Sequence, residues 1–596
     1  MPAMSRLSPL LLTRPLCGTL TALLFALALL ASLALAAPLT AAAAADGHVP
    51  LGPEPTPSPP ATQPLPAHSI PPALRQVPPL PSGAQLEKEH AHIGKIEIHI
   101  VQVFDLSDPH NDNWLFRTAD ILHVPTRPAA VRAQLLFHTG DLYSRRLLDE
   151  SARNIRMNSN FLREPVVRPI AYHDGVVDIE VITHDVWTLQ PGVNFSRAGG
   201  ANAFGFQVSD SNFLGTGKYV QIGHAQDVDR SSTYIQWNDP NIAGGHWTDA
   251  FNYQTNSDGT VWGVGVAYPF YSLETEHDIG IDAGNDHSVV QRYRLGRPYD
   301  YYDNAWRTGD FYLGDSLQIT NNWTDRLLLG WRVDESSFGQ APGRALRAPL
   351  PQERNLSYPF VRMQWTQNNY VTLRNLAMIA RTEDVHLGLD ASVGVGYASP
   401  VYGADRNSLI IDSELADAWE IGDRQDLFLN GRLATRYENG SLHDAIVTAS
   451  GNYYLRTSDH TRFFVNLAGN VGHNLDGDHY FDLGGDNGLR GYPLRFQNGN
   501  QSALLSVEER LYTNYFLLQL VNLGAAAFFD MGRTWGSPLV STPDLGLLKD
   551  VGVGLRLGNA RSSFGSVIHI DAAVPLDRHG YDISRVQFLV STQATY

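Results

Sequence analysis

The chain has 596 residues, with 44 lysines and arginines against 61 aspartates and glutamates, a formal charge of −17. That acidic balance excludes the basic face that nucleic-acid binding needs. A single cysteine, Cys17, sits inside an N-terminal apolar run, which excludes disulfide staples, thiolate metal sites and cysteine nucleophiles from the rest of the chain.

Arg6 and Arg14 precede an apolar stretch from about Leu16 to Ala36 that closes on small residues. This predicts a secretory signal peptide over 1–45 with an Ala-x-Ala-like cleavage site. The stretch is also long enough to span a membrane, so an uncleaved anchor is the competing reading. A lipid anchor at Cys17 fits less well, because the apolar core follows that cysteine. No later run of about 20 apolar residues occurs, so a second spanning helix is excluded and a β-barrel is not. Residues 46–92 read as a proline-rich linker. Thirteen of the 32 residues from Pro50 to Pro81 are proline, which gives an extended polyproline II tether reaching on the order of 100 Å.

Residues 93–186 change pattern twice and predict one small α+β domain. Ile96, Ile98, Ile100 and Phe104 alternate as a strand. The turn Thr139-Gly140-Asp141-Leu142-Tyr143 then leads into a helix that places Leu148, Ala152 and Ile155 on one face and Arg145, Asp149, Glu150 and Arg153 on the other. Val177, Ile179 and Val181 follow Asp174-Gly175 as a further strand. The Gly-Asp-x-Tyr turn before a helix, with a glycine hairpin before the last strand, resembles a POTRA domain. His110 to Pro128 is an insertion relative to that pattern.

From 187 to 596 apolar and polar residues alternate. Val385, Leu387, Leu389, Ala391, Val393, Val395 and Tyr397 read as one face of a long strand; Val361, Met363 and Trp365 oppose Arg362, Gln364 and Thr366. Leu427, Leu429 and Leu433 oppose Asn430, Arg432 and Arg436 in the same way, as do Phe463, Val465 and Leu467 against Arg462, Asn466 and Asn470. A soluble sandwich also alternates, but long strands with aromatic ends behind an export signal favour a transmembrane antiparallel β-barrel. At about 25 residues per strand and connection the stretch predicts about 16 strands, whereas counting runs gives five after residue 500 and up to 15 before it. Val586, Phe588, Val590 and Thr592 share a face, and the chain closes on Tyr596, which resembles the terminal aromatic insertion signal of bacterial barrels.

The run from Gly472 to Gln501 is too long and polar for a hairpin turn, and it holds Leu489-Arg490-Gly491-Tyr492. Glu508-Glu509-Arg510 lies in the next strand and Phe528-Phe529-Asp530-Met531-Gly532 in the one after. If Ala503, Leu505, Val507 and Leu511 face lipid, Glu508 and Arg510 face the lumen. If Ala525, Ala527 and Phe529 face lipid, Phe528, Asp530 and Gly532 face the lumen. Parity thus points Glu508, Arg510 and Asp530 into one lumen where Arg490 of the loop can pair with Asp530 beside Glu508, for roughly 1–3 kcal/mol in a watery interior.

These three motifs, in this order, closely resemble the BamA/TamA and two-partner-secretion (TpsB) outer-membrane superfamily, whose inward-folded sixth loop carries (Val/Ile)-Arg-Gly-(Phe/Tyr). Arg490, Gly491 and Tyr492 match, with Leu489 a departure at the first position; Glu508 and Arg510 match Glu-x-Arg, and Phe528, Asp530 and Gly532 match Phe-x-Asp-x-Gly. The resemblance implies an outer-membrane protein with its N-terminal part in the periplasm. It would capture client polypeptides by strand addition to the POTRA edge and pass them to a barrel whose first and last strands pair weakly. Its partners would be unfolded outer-membrane or secreted proteins, outer-membrane lipid, and periplasmic chaperones or accessory proteins. The chain has one POTRA-like unit where BamA types have five, TamA types three and TpsB types two. That leaves a TpsB-like transporter for one secreted partner, or a passive solute pore on the same fold, as alternatives to an assembly factor.

No enzyme is expected, and neither a cofactor nor a metal. Gly552-x-Gly554-x-x-x-Gly558 misses a dinucleotide fingerprint and alternates with Val551, Val553, Leu555 and Leu557 as a strand; Gly215-Thr216-Gly217-Lys218 lacks the rest of a phosphate loop. Asp476, Asp478, Asp482 and Asp486 read as solvated loop charge rather than a calcium site.

Overall fold

The computed structural model describes residues 80–596, apart from 104–122, 159, 375, 377–381, 518–520, 560–566 and 594–596. The predicted signal peptide, most of the proline-rich linker, Phe104 and Tyr596 lie outside these residues, as does the larger part of the His110–Pro128 insertion.

A short helix α1 (Gly83–Lys88), capped by the Ser82 hydroxyl, leads into β1 (His92–Val101). Helices α2 (Pro128–Arg132) and α3 (Arg145–Asn158) follow, then the hairpin β2 (Leu162–His173) and β3 (Val176–Asp185). The sheet order is β1–β3–β2, with β1 parallel and β2 antiparallel to the central β3. The turn before α3 is tied to β1, because Gly140 N–H donates to the Ile93 carbonyl at 2.7 Å and Ile93 N–H to that of Asp141 at 2.8 Å. Leu148 and Ile155 of α3 meet Ile93, Val177, Ile179 and Val181 of the sheet in one apolar core.

Among the remaining described residues, 20 strands close into an antiparallel barrel, from Leu189–Ala198 to Gln587–Gln593. The expected 16 strands are therefore four too few. Short strands of eight to ten residues, joined by connections of two to eight, place six strands between Leu189 and Tyr268, far denser than the average spacing. A second correction concerns the run from Val385 to Tyr397. Its first part, Thr382–His386, pairs with Tyr370–Arg374 in a separate two-stranded hairpin, and the barrel strand starts only at Asp390. Val385 and Leu387 are buried, whereas Val393, Val395 and Tyr397 face outward. The alternation holds on both sides of the break because each piece separately has two faces.

Outward positions form an apolar surface that includes Phe204, Phe206, Ile281, Phe311, Leu329, Val361, Leu467, Val553 and Phe588, while inward neighbours are polar or charged. This is the exterior of a barrel solvated by lipid. Among the described residues no helix is long and apolar enough to cross a membrane.

The α+β unit sits on one rim of the barrel. Glu150 of α3 accepts the Leu273 N–H at 2.8 Å, Arg146 donates to the Thr320 carbonyl at 3.2 Å, and Arg153 lies 4.0 Å over the Tyr370 ring. Two barrel turns reach back: Asn212 donates to Thr126 at 2.7 Å and Asn241 to the Ala133 carbonyl at 3.2 Å. The Gly215–Lys218 turn, glycine-rich without being a phosphate loop, belongs to this joint through the Gly215 carbonyl, which accepts the Arg127 N–H at 2.9 Å.

Candidate functional site

The long loop between the strands Thr461–His473 and Gln501–Leu517 carries its own ladder, in which Phe481–Leu483 pairs with Gln497–Gly499. Between these short strands the chain turns tightly. Leu489 N–H donates to the Gly484 carbonyl at 2.9 Å, and the Asn487 side chain accepts the Gly484 N–H at 2.6 Å. Leu489 and Tyr492 are fully buried in an apolar cluster with Leu483, Phe496, Leu545, Leu548 and Ile583. The Tyr492 hydroxyl lies 2.9 Å from the Lys549 carbonyl and 3.0 Å from that of Asp577, spanning two wall segments.

With its neighbours anchored in this way, Arg490 points into the barrel wall. Its guanidinium is bidentate on Asp530, with Nε to Oδ2 at 2.7 Å and Nη2 to Oδ1 at 2.8 Å. Nη1 reaches Glu508 Oε1 at 2.6 Å and Asp571 Oδ2 at 3.3 Å, and the guanidinium carbon stacks 3.4 Å from the centre of the Phe528 ring. Arg510 donates to the other Glu508 oxygen at 2.7 Å, and Arg556 closes the set on Asp571. Three guanidinium groups thus alternate with three carboxylates. All six are largely buried, with Asp530 wholly so. Such charge-assisted pairs are strong in a low-dielectric interior, and removing one partner strands the others. The expectation of a watery pair is corrected by this burial.

The structure therefore brings together Leu489, Arg490, Gly491, Tyr492, Glu508, Arg510, Phe528, Asp530 and Gly532. Phe588 and Val590 are elsewhere, in the last barrel strand. Phe588 faces outward at 59% exposure, and Val590 is opposite Arg197 of the first strand. Sequence reasoning missed Asp571 and Arg556. The signal was available, because Arg556 shares inward parity with Gly552 and Gly554, and Asp571 is cross-strand to Gly554.

It also misread the loop acids. Asp478 forms a two-bond pair with Arg354 at 2.8 and 2.7 Å, and Asp476 one with Arg436 at 2.9 and 3.0 Å, so neither is free solvated charge. Asp444, Asp476 and His479 could also gather around a metal ion, but Arg436 already supplies the positive charge between the two carboxylates. His479 contacts Asp444 at 2.8 Å. Burial favours the neutral imidazole, but the hydrogen bond to Asp444 and the charges of Asp444 and Asp478 outweigh it and raise the His479 pKa above the usual value. On another wall, Arg495 holds Asp229 at 2.8 and 3.2 Å while stacking 4.4 Å from the Tyr293 ring. Attached at Asp229, at Arg354 and Arg436, and at Asp530, the loop crosses the lumen from wall to wall.

A closed lipid-facing barrel with a loop ionically fixed inside it defines an outer-membrane-type β-barrel with an internal plug. No family model and no curated protein matches the chain. Among solved structures it is similar to CdiB from Escherichia coli (12% identity, TM-score 0.43, covering 85% of this chain and 76% of that one). It is also similar to CdiB from Acinetobacter baumannii (11%, 0.42, 85% and 73%) and to BamA from Haemophilus ducreyi lacking POTRA domains 1–3 (14%, 0.36, 84% and 85%).

Proposed function

We propose that this chain is an outer-membrane assembly or translocation factor that inserts or exports client polypeptides. The observation that carries the reading is the barrel seam. Among the described residues the β-ladder between the adjacent first and last strands registers a single Cα pair, Val590 with Arg197, while other neighbouring barrel strands register at least seven. A seam with so little registered pairing can offer backbone donors and acceptors to an incoming strand without reading its side chains.

The α+β unit, read as POTRA-like and periplasmic, leaves β1 and β2 as the two edges of its sheet. Pro165 and Pro169 interrupt β2 and remove two ladder donors, so β1 is the better edge for a client strand. A passive solute pore fits less well, because both the loop and the Tyr370–His386 hairpin occupy the lumen. Clients would be unfolded outer-membrane or secreted proteins. The surrounding lipid and periplasmic chaperones would be the other partners.

The deciding experiment is depletion of the chain, followed by quantitative comparison of outer-membrane and culture-fluid proteins. Loss of several barrel proteins supports assembly, and loss of one secreted protein supports a TpsB-like role. An unchanged protein profile with altered solute uptake would reject both.

A further inference from the structure

The hairpin formed by Tyr370–Arg374 and Thr382–His386 touches both the α+β unit and the wall that carries the Arg490 network. On one side Arg156 of α3 pairs with Asp384, and Arg153 stacks on Tyr370. Asp384 is 3% exposed and its other oxygen accepts from Thr372 at 2.9 Å, so losing Arg156 leaves a buried carboxylate without its cation. On the other side Leu376, Val385 and Leu387 pack with Ala418, Phe428, Tyr454 and Phe464, which point inward from four successive barrel strands. A two-stranded hairpin this short is marginal by itself. Its structure therefore depends on both contacts, and weakening one weakens its hold on the other.

The wall residues continue the path. Tyr454 and Phe464 have ring centres 4.9 Å apart, and the Arg510 guanidinium lies 3.9 Å over Phe464. Arg510 donates to one oxygen of Glu508, whose other oxygen takes Arg490. The path from α3 to the loop thus runs through ion pairs, ring contacts and one shared apolar cluster of buried or half-buried groups.

We propose that this hairpin is a coupling strap through which displacement of α3 loosens the Arg490 lock, by way of Asp384, the Tyr454–Phe464 pair, Arg510 and Glu508. The coupling does not depend on what the barrel transports. It makes the state of the loop sensitive to whatever engages the α+β unit, and coupling of this kind is reciprocal.

The test uses the full chain in lipid nanodiscs with Cys17→Ser and a reporter, Leu494→Cys, placed at a loop position that is 7% exposed. The maleimide labelling rate then reports loop undocking. Arg490→Ala is the positive control and should speed labelling. Arg156→Glu, and separately Tyr370→Ala, should speed it at least about fivefold, and adding Asp384→Arg to Arg156→Glu should reverse most of that gain. Heat-modifiable migration checks that each variant keeps a folded barrel. Wild-type labelling rates in both single variants, alongside a fast Arg490→Ala, would overturn the proposal. So would a speed-up in Arg156→Glu that Asp384→Arg leaves untouched, because the effect would then bypass the hairpin.

Discussion

The Arg490 guanidinium carbon lies over the Phe528 ring, 3.4 Å from its centre, while the guanidinium grips Asp530 two residues further along the same strand. The Phe-x-Asp-x-Gly spacing follows from this, because strand parity turns all three positions toward the inner face. Phe528 supplies the face, Asp530 the paired acceptor, and Gly532 the room. A Cβ at Gly532 would stand 3.0 Å from Leu483 of the loop.

Arg490→Ala should leave a folded, heat-modifiable barrel with an undocked loop. Breaking a buried pair costs about 3–5 kcal/mol, and Arg490 is slightly solvated, so the lower end applies to loop docking. The barrel itself is held by backbone ladders that the substitution does not touch. Arg490→Lys should recover the smaller part, since an ammonium cannot bind Asp530 through two parallel bonds and stack on Phe528 at once. Loop protection from protease, with barrel stability measured in parallel, checks both. If Arg490→Ala and Asp530→Ala each leave protection unchanged, the lock has no role.

Gly491→Ala should undock the loop although it deletes no side-chain contact. An added Cβ would sit 2.6 Å from Asp550 Cβ and 3.0 Å from the Pro575 nitrogen, both part of the wall. Overpacking of this kind costs about 1–3 kcal/mol. The loop should accordingly become protease-sensitive, to a smaller extent than in Arg490→Ala. Wild-type protection in Gly491→Ala, measured beside a sensitive Arg490→Ala, would mean that the wall yields to the added methyl group.

The raised His479 pKa gives loop docking a pH dependence with a defined sign. Protonated His479 is favoured by Asp444 in the docked state. The contribution is therefore complete below the ordinary imidazole pKa of about 6.5 and is lost as pH rises through the higher docked value. Spin-label mobility in the loop should increase between mildly acidic and mildly alkaline pH, and His479→Gln should flatten that response. An identical response in the variant would assign the pH dependence to other groups.

Cysteines at Val590 and Arg197, the single Cα pair of the seam, should cross-link under oxidation because cross-strand neighbours lie within disulfide reach. If strand addition at this seam underlies function, the oxidised variant should lose activity in cells and regain it on reduction. Full activity of the cross-linked form would move the client route away from the seam.

Which side chains point inward could be read from alternation along each strand. Parity is a local property of a strand, so Glu508, Arg510, Phe528 and Asp530 could be assigned to one lumen from alternation alone, and the Leu489–Tyr492 motif marked the loop that meets them. Strand number was legible in the count of alternating runs, five after residue 500 and up to 15 before it, which matches the 20 barrel strands; the average spacing gave too few because the strands between Leu189 and Tyr268 are short and closely spaced. The hairpin at Tyr370–His386 was illegible. Alternation runs unbroken from Val385 to Tyr397, and only the three-dimensional arrangement decides that Val385 joins an apolar cluster inside the barrel while Val393 meets lipid outside. An apolar face satisfies the same pattern whether its apolar surroundings are lipid or the inner wall of its own barrel, and that choice belongs to the tertiary structure.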